Sequence, residues 1–129
     1  MQKICVVGLG YIGLPTALIL ARENLNVIGF DVNEQIVDSL NKGLSHINEP
    51  SVDAELALAI DKNFFYASNE PISADVYIIA VPTPYVKKED DIFHPDTSSV
   101  FKAIDSISPF FKKESLLILE STCPVGTTE

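Results

Sequence analysis

Cysteine, histidine and basic residues are all scarce in this sequence, and each scarcity excludes something. Two cysteines, Cys5 and Cys123, make no disulfide framework, so a reducing compartment, the cytoplasm, is the expected setting. His46 and His94 are far apart and have no cysteine or carboxylate at ligand spacing, so no metal site is expected. Nine Lys+Arg stand against 18 Asp+Glu, a net charge of −9. Nucleic acid and anionic membrane surfaces recruit clustered cations, and neither is an expected partner. Residues 4–21 carry no charge, a stretch that by composition could pass for a signal peptide or a marginal membrane span. Gly8, Gly10, Gly13 and Pro15 interrupt it and weaken any continuous apolar helix. No repeat, low-complexity segment or linker composition is present.

What remains is a chain of 129 residues, 47% hydrophobic, with a mean hydropathy of +0.21. That is not a disordered tail. It is the size of one domain, which buries about two-thirds of the surface its unfolded chain exposes.

Strand and helix patterns alternate along it. An apolar run at 4–7 ends at glycine and reads as a buried parallel strand. Leu14, Ala17, Leu18 and Ala21 follow at i, i+3, i+4, i+7, the stripe of a helix. A second strand over 27–30 ends at Asp31. Asn33 is placed to cap a helix carrying Ile36, Val37 and Leu40, and Gly43 to stop it. Val52, Leu56, Ala59 and Ile60 mark a further helix, followed by a short strand over 64–67. The run VYIIAV at 76–81 is the strongest strand pattern. Asp96 is placed to cap a helix with Val100, Ile104 and Ile107 on one face, and 116–119 is a fifth strand. Residues 85–96 read as one long charged loop. Such alternation predicts right-handed crossovers and an α/β doubly wound parallel sheet. The final segment, STCPVGTTE, follows its strand without a complete covering helix, so the chain is expected to be part of something longer. Apolar surface is expected to lie open near 116–119.

The chemistry starts at Gly8-Leu9-Gly10-Tyr11-Ile12-Gly13, a GxGxxG string. Alone such a string is weak. Here it leaves an apolar strand, opens a helical stripe and has an acidic residue, Asp31, at the end of the next strand. Gly8 allows the tight turn, Gly10 lets backbone approach a pyrophosphate, and Gly13 lets helix and sheet pack closely. The phosphates are expected at the helix N-terminus, where free N–H groups and the dipole favour anions. Asp31 can accept hydrogen bonds from the adenosine ribose hydroxyls and repels a 2′-phosphate, which predicts NAD over NADP. The competing reading makes Asp31 a cap for the next helix. With strand order 3-2-1-4-5, ligands bind at the switch point between strands one and four. Val81-Pro82-Thr83-Pro84 lies there, with Thr83 toward the nicotinamide side. Glu120-Ser121-Thr122-Cys123-Pro124 lies one strand over, where Thr122 could contact the nicotinamide ribose or hold a water. The plainer reading of both is proline ending a strand.

GLGYIGLPTA, GFDVN, HINEP, AVPTP and ILESTCPVGTTE together resemble the N-terminal, NAD-binding domain of the UDP-glucose/GDP-mannose dehydrogenase family, over essentially the whole of residues 1–129. The resemblance implies a Rossmann-type sheet, truncated before its last strand, and NAD as cofactor. It implies the four-electron oxidation of a UDP-sugar at C6 by two NAD+, with a cysteine holding the aldehyde stage as a thiohemiacetal. The motifs point to UDP-N-acetylmannosamine as the sugar, with UDP-glucose and UDP-N-acetylglucosamine as alternatives, and to a homodimer at full length. By that resemblance Tyr11 and Ile12 join the three glycines in the dinucleotide loop, Asp31 is the ribose ligand, and Val81, Pro82 and Thr83 line the nicotinamide side. Thr122 positions water and cofactor. The family's catalytic Glu, its Lys/Asn helix and its Cys would follow residue 129, so this chain alone is expected to be inactive. A stand-alone NAD-sensing Rossmann regulatory module and a 3-hydroxyacid dehydrogenase share the fingerprint and are the alternatives.

Neither cysteine here fits the nucleophile. Cys5 sits mid-strand in an apolar run, and Cys123 has no basic neighbour. His46, in the HINEP loop, either faces the site or is a plain loop residue. Lys87-Lys88-Glu89-Asp90-Asp91 reads as a solvated run with room to act as a flap.

Overall fold

A computed structural model describes residues 2–87, 89–121 and 127–128. Its elements are β1 (Lys3–Val7), α1 (Gly13–Arg22), β2 (Asn26–Phe30), α2 (Glu34–Asn41), α3 (Pro50–Asp61), β3 (Phe65–Ser68), β4 (Val76–Ile79), β5 (Tyr85–Lys87), β6 (Phe93–Pro95), α4 (Ser98–Ile107) and β7 (Leu116–Leu119). A short 3-10 turn, Ser108–Phe110, follows α4. Five strands form one sheet in the order β3-β2-β1-β4-β7, every pair parallel. This is the expected 3-2-1-4-5 order, with β7 as the fifth strand of the sheet.

Alternation along the strands sorts the core onto two faces. On β1, Ile4 and Val6 face one layer while Cys5 and Val7 face the other. The first layer packs Leu14, Ala17 and Leu18 of α1, Val37 and Leu40 of α2, and Leu56 and Ala59 of α3. The second packs Tyr77 and Ile79 of β4 against Val100, Ala103 and Ile107 of α4. The connections from β1 to β3 therefore lie on one face and the α4 connection on the other.

The local signals work as read. The Asn33 side chain accepts the N–H groups of Gln35 and Ile36, capping α2. At the other end Gly43 takes a left-handed φ of 80°, and the N–H groups of Gly43 and Leu44 bond the carbonyls of Leu40 and Ser39. The cap of α4 shifts by one: Thr97 is the N-cap, and the Asp96 carboxylate accepts the Ser98 N–H at 3.0 Å. The fourth strand stops at Ile79, two residues short of the apolar run.

The segment 85–96 corrects the loop expectation. It is an antiparallel hairpin in which Val86 pairs with His94 and Lys87 with Phe93. Its strands carry Tyr85, Val86 and Phe93, and apart from Lys87 the charges lie in the turn. Asp91 sits there at φ 64°, its carboxylate 3.0 Å from Lys87, while the Asp90 carboxylate accepts the Ile92 N–H and lies 2.9 Å from His94 Nε2. The mixed charges thus close a turn on themselves.

Tyr77 carries a buried network that no motif announced. Its hydroxyl accepts the Ala74 N–H at 2.9 Å and donates to the Ile72 carbonyl at 2.8 Å, and its ring stacks on Phe111. Tyr77→Phe keeps the ring and leaves the buried Ala74 N–H unpaired, at a cost of about 1–3 kcal/mol. Urea denaturation should show a lowered midpoint with an unchanged slope. An unchanged midpoint would mean that another acceptor replaces the phenol.

At the sheet edge, Leu116, Leu117 and Ile118 are 55%, 38% and 41% exposed, the open apolar strand that was expected. Residues 127 and 128 lie in a turn.

Candidate functional site

The carboxyl ends of β1, β2 and β4 converge with α4 on a crevice of about 490 Å3. Its floor is the turn leaving β1. Gly8 has φ 96°, a conformation that side chains other than glycine's rarely adopt, and a Cβ there would also press on the backbone of Ala80 and Val81. Gly13, the first residue of α1, lies so close to Gly8 that a Cβ would overlap the Gly8 carbonyl. Gly10 is different, because a Cβ built on it meets nothing within 4 Å. No packing among the described residues requires a glycine at that position, and Gly10 lines the crevice.

Backbone donors are concentrated at the same place. The N–H groups of Gly10, Tyr11 and Ile12 have no acceptor among the described residues, and they sit at the N-terminus of α1. Unpaired N–H groups at a helix start favour an anion. Leu9, fully buried, packs its side chain against Gly29 of β2 and fixes the loop to the sheet.

Asp31, half-buried at the end of β2, is not the cap of α2, since Asn33 does that. One Asp31 carboxylate oxygen accepts the Leu9 N–H at 2.9 Å and the other the Asn33 N–H at 2.9 Å. It therefore ties the glycine loop to the tip of β2. A carboxylate has about four lone-pair sites, so two remain for further donors.

The structure brings Gly8, Gly10, Tyr11, Asp31, Val81 and Pro82 together in the lining of this crevice. Ile12, Gly13 and Thr83 are not among its lining residues. Thr122 and Cys123 are outside the described residues. Ser121 is described: its hydroxyl lies 2.8 Å from the Val81 carbonyl and 3.2 Å from that of Ile79, holding the Val81–Pro82 turn against the end of β7. Glu120 accepts a hydrogen bond from Thr16 of α1 at 2.7 Å, a long-range tie between the dinucleotide helix and the last strand.

His46 does line the crevice, from the loop between α2 and α3. Its neighbours hold it there. Ser45 N–H donates to Asp53, Ile47 N–H donates to the Ser45 hydroxyl, and Ile47 is buried. Ser99, Lys102 and Ser106, missed in the sequence, line the opposite wall from α4. Their i, i+3, i+7 spacing was legible, but a polar stripe beside an apolar one reads as solvent-facing until the fold turns it inward.

The groups whose titration is displaced lie elsewhere. Burial pushes the Cys5 thiol up to about 12, as fits an inert packing residue. Burial also raises the Tyr77 phenol. Asp75, at the opposite, amino-terminal end of the strands, is held below the usual carboxylate range by the Lys3 N–H and by Lys112. What the crevice offers is orphan donors, a carboxylate and apolar walls. That is an equipment for binding.

A doubly wound sheet with a glycine turn, orphan N–H groups and an acidic strand tip is a dinucleotide-binding domain, and these residues fit NAD. The chain belongs to the UDP-glucose/GDP-mannose dehydrogenase family: the model of that family's NAD binding domain matches residues 2–129. It is 47% identical over 128 residues to UDP-N-acetyl-D-mannosamine dehydrogenase of Campylobacter jejuni, covering 99% of this chain and 31% of that protein. It is 46% identical over 128 residues to the NDP-N-acetyl-D-galactosaminuronic acid dehydrogenase of Ralstonia nicotianae, covering 99% of this chain and 29% of that one. Among solved structures, the UDP-N-acetyl-mannosamine dehydrogenase of Staphylococcus aureus superposes with a TM-score of 0.92 at 40% identity, over 99% of this chain and 31% of that one. The chain thus spans about a third of the length of these relatives.

Proposed function

We propose that this chain is the NAD-binding region of a nucleotide-sugar 6-dehydrogenase whose substrate is UDP-N-acetylmannosamine. The observation that carries the cofactor part is the open space at Gly10 beside three unpaired N–H groups, with Asp31 at the tip of the neighbouring strand. When bound, NAD+ supplies the acceptor for a hydride, and two equivalents are needed to take an alcohol to a carboxylate. The residues of this chain bind and orient. The N–H groups of Gly10, Tyr11 and Ile12 hold the pyrophosphate, Asp31 takes the adenosine ribose hydroxyls, and Val81, Pro82 and Thr83 border the nicotinamide end. Thr122 belongs to the same reading, as the residue that positions water and cofactor.

The sugar rests on the names of the relatives. Since a galactosaminuronic acid dehydrogenase is about as similar as the mannosamine enzymes, an N-acetylgalactosamine nucleotide is the second reading. A homodimer of the longer protein, and a cytoplasmic setting, complete the proposal. Among the described residues no helix is long and apolar enough to cross a membrane.

Calorimetric titration of this chain with NAD+ and NADP+ tests the cofactor reading, and NAD+ is expected to bind at least about tenfold more tightly. Equal affinities, or no binding by a folded chain, would count against it. NADH production by the longer polypeptide from a panel of UDP-sugars then separates the two sugars.

A further inference from the structure

The crevice of a chain with net charge −9 has to receive a dinucleotide carrying two phosphate charges. Among its lining residues Asp31 is the one carboxylate and Lys102 the one permanent cation. Lys102 makes no ion pair among the described residues.

Its place follows from packing. Phe30, the residue before Asp31, and Ala103, the residue after Lys102, belong to the same buried cluster and both line the crevice. Asp31 and Lys102, each next in sequence to one of these two, line it as well. The orphan N–H groups of 10–12 belong to the start of α1, whose helix covers the other face of the sheet. Lys102 therefore enters the same crevice from α4, on the second face of the sheet. Small residues surround it on the helix: Ser99, Ala103 and Ser106 share the lining, which leaves its stem free to lean over the opening. The Ser106 hydroxyl donates back to the Lys102 carbonyl at 2.9 Å, so its proton is already used.

We propose that Lys102 is a cofactor-binding residue, its ammonium donating to the 2′ oxygen of the adenosine ribose while Asp31 accepts that hydroxyl's proton. The hydroxyl then acts as acceptor and donor at once, held between opposite charges. This rests on the NAD reading above and adds to it a residue that no glycine fingerprint contains.

The test compares NAD+ and ADP-ribose binding to the wild-type chain, Lys102→Ala and Lys102→Arg by calorimetry. The alanine variant should bind both ligands about three- to tenfold more weakly, equally for each, because an exposed charged hydrogen bond is worth that much. The arginine variant should stay within about twofold, since it keeps the charge. Thermal melting should be unchanged, because the side chain is exposed. Alanine affinities within twofold of wild type for both ligands would overturn the inference, as would a loss confined to NAD+. Failure of the wild type to bind NAD+ at all would overturn the proposed function itself, and the inference with it.

Discussion

Gly13→Ala should cost the domain more than about 3 kcal/mol, the upper end of what overpacking does, and should abolish cofactor binding with it. The reason is backbone. A Cβ at Gly13 would overlap the carbonyl of Gly8, which has no rotamer to escape to, and would press on the Ala80 side chain as well. Either α1 lifts from the sheet or the glycine turn deforms. Lifting α1 opens the layer formed by Leu14, Ala17 and Leu18. A domain of this size has only about 5–15 kcal/mol of stability to lose. Gly10→Ala is the matched control. Its Cβ meets nothing within 4 Å, and Gly10 does not adopt a positive φ, so that variant should unfold in urea much as the wild type does. Its methyl group nevertheless enters the space assigned to the pyrophosphate, so NAD+ affinity should still fall. The pair separates a glycine needed by the fold from one needed by the ligand. A Gly13→Ala protein with a wild-type denaturation midpoint would refute the packing argument.

Asp31→Ala should lower NAD+ affinity by about 100-fold, the equivalent of two hydrogen bonds to a charged acceptor. It should also lower stability by about 1–3 kcal/mol, since the Leu9 and Asn33 N–H groups both lose their acceptor. These are separate effects of one carboxylate, and urea denaturation without ligand measures the second by itself. Calorimetric titration measures the first, and NADP+ should gain on NAD+ in the variant because the repulsion of a 2′-phosphate is gone. If stability falls while NAD+ binds within threefold of wild type, Asp31 is a strut of the glycine loop and not a ribose ligand.

Asp31 shows how far the sequence could be read. Its position at the end of a strand following a GxGxxG turn was enough to expect a ribose ligand. That it also holds the Leu9 N–H could not be read, because the two residues are 22 apart and meet only when β1 and β2 pair in register. Cys5 was legible as inert from its neighbours alone, since an apolar run on a strand is buried on both faces of a parallel sheet. The hairpin at 85–96 was not. Its charges run together from Lys87 into the turn and drown the short pattern of the flanking strands, and pairing distance, which decides the matter, is absent from composition.

The strand order followed from the strand–helix alternation and the crossover rule, while the glycine turn and the caps of α2 were written in local patterns, because each depends on residues within a turn of one another. The opposite wall of the crevice was not. Ser99, Lys102 and Ser106 form a polar stripe like any exposed one, and His46 is a lone histidine in a loop. The three α4 residues become parts of a site because the crossover through α4 covers the second face of the sheet and brings them to the ends of β1 and β2, and His46 because the α2–α3 loop on the first face reaches the same crevice. Periodicity tells which side of a helix is apolar. Where its polar side looks, whether to water or across a crevice at an aspartate, is decided only by what the rest of the chain has packed beside it.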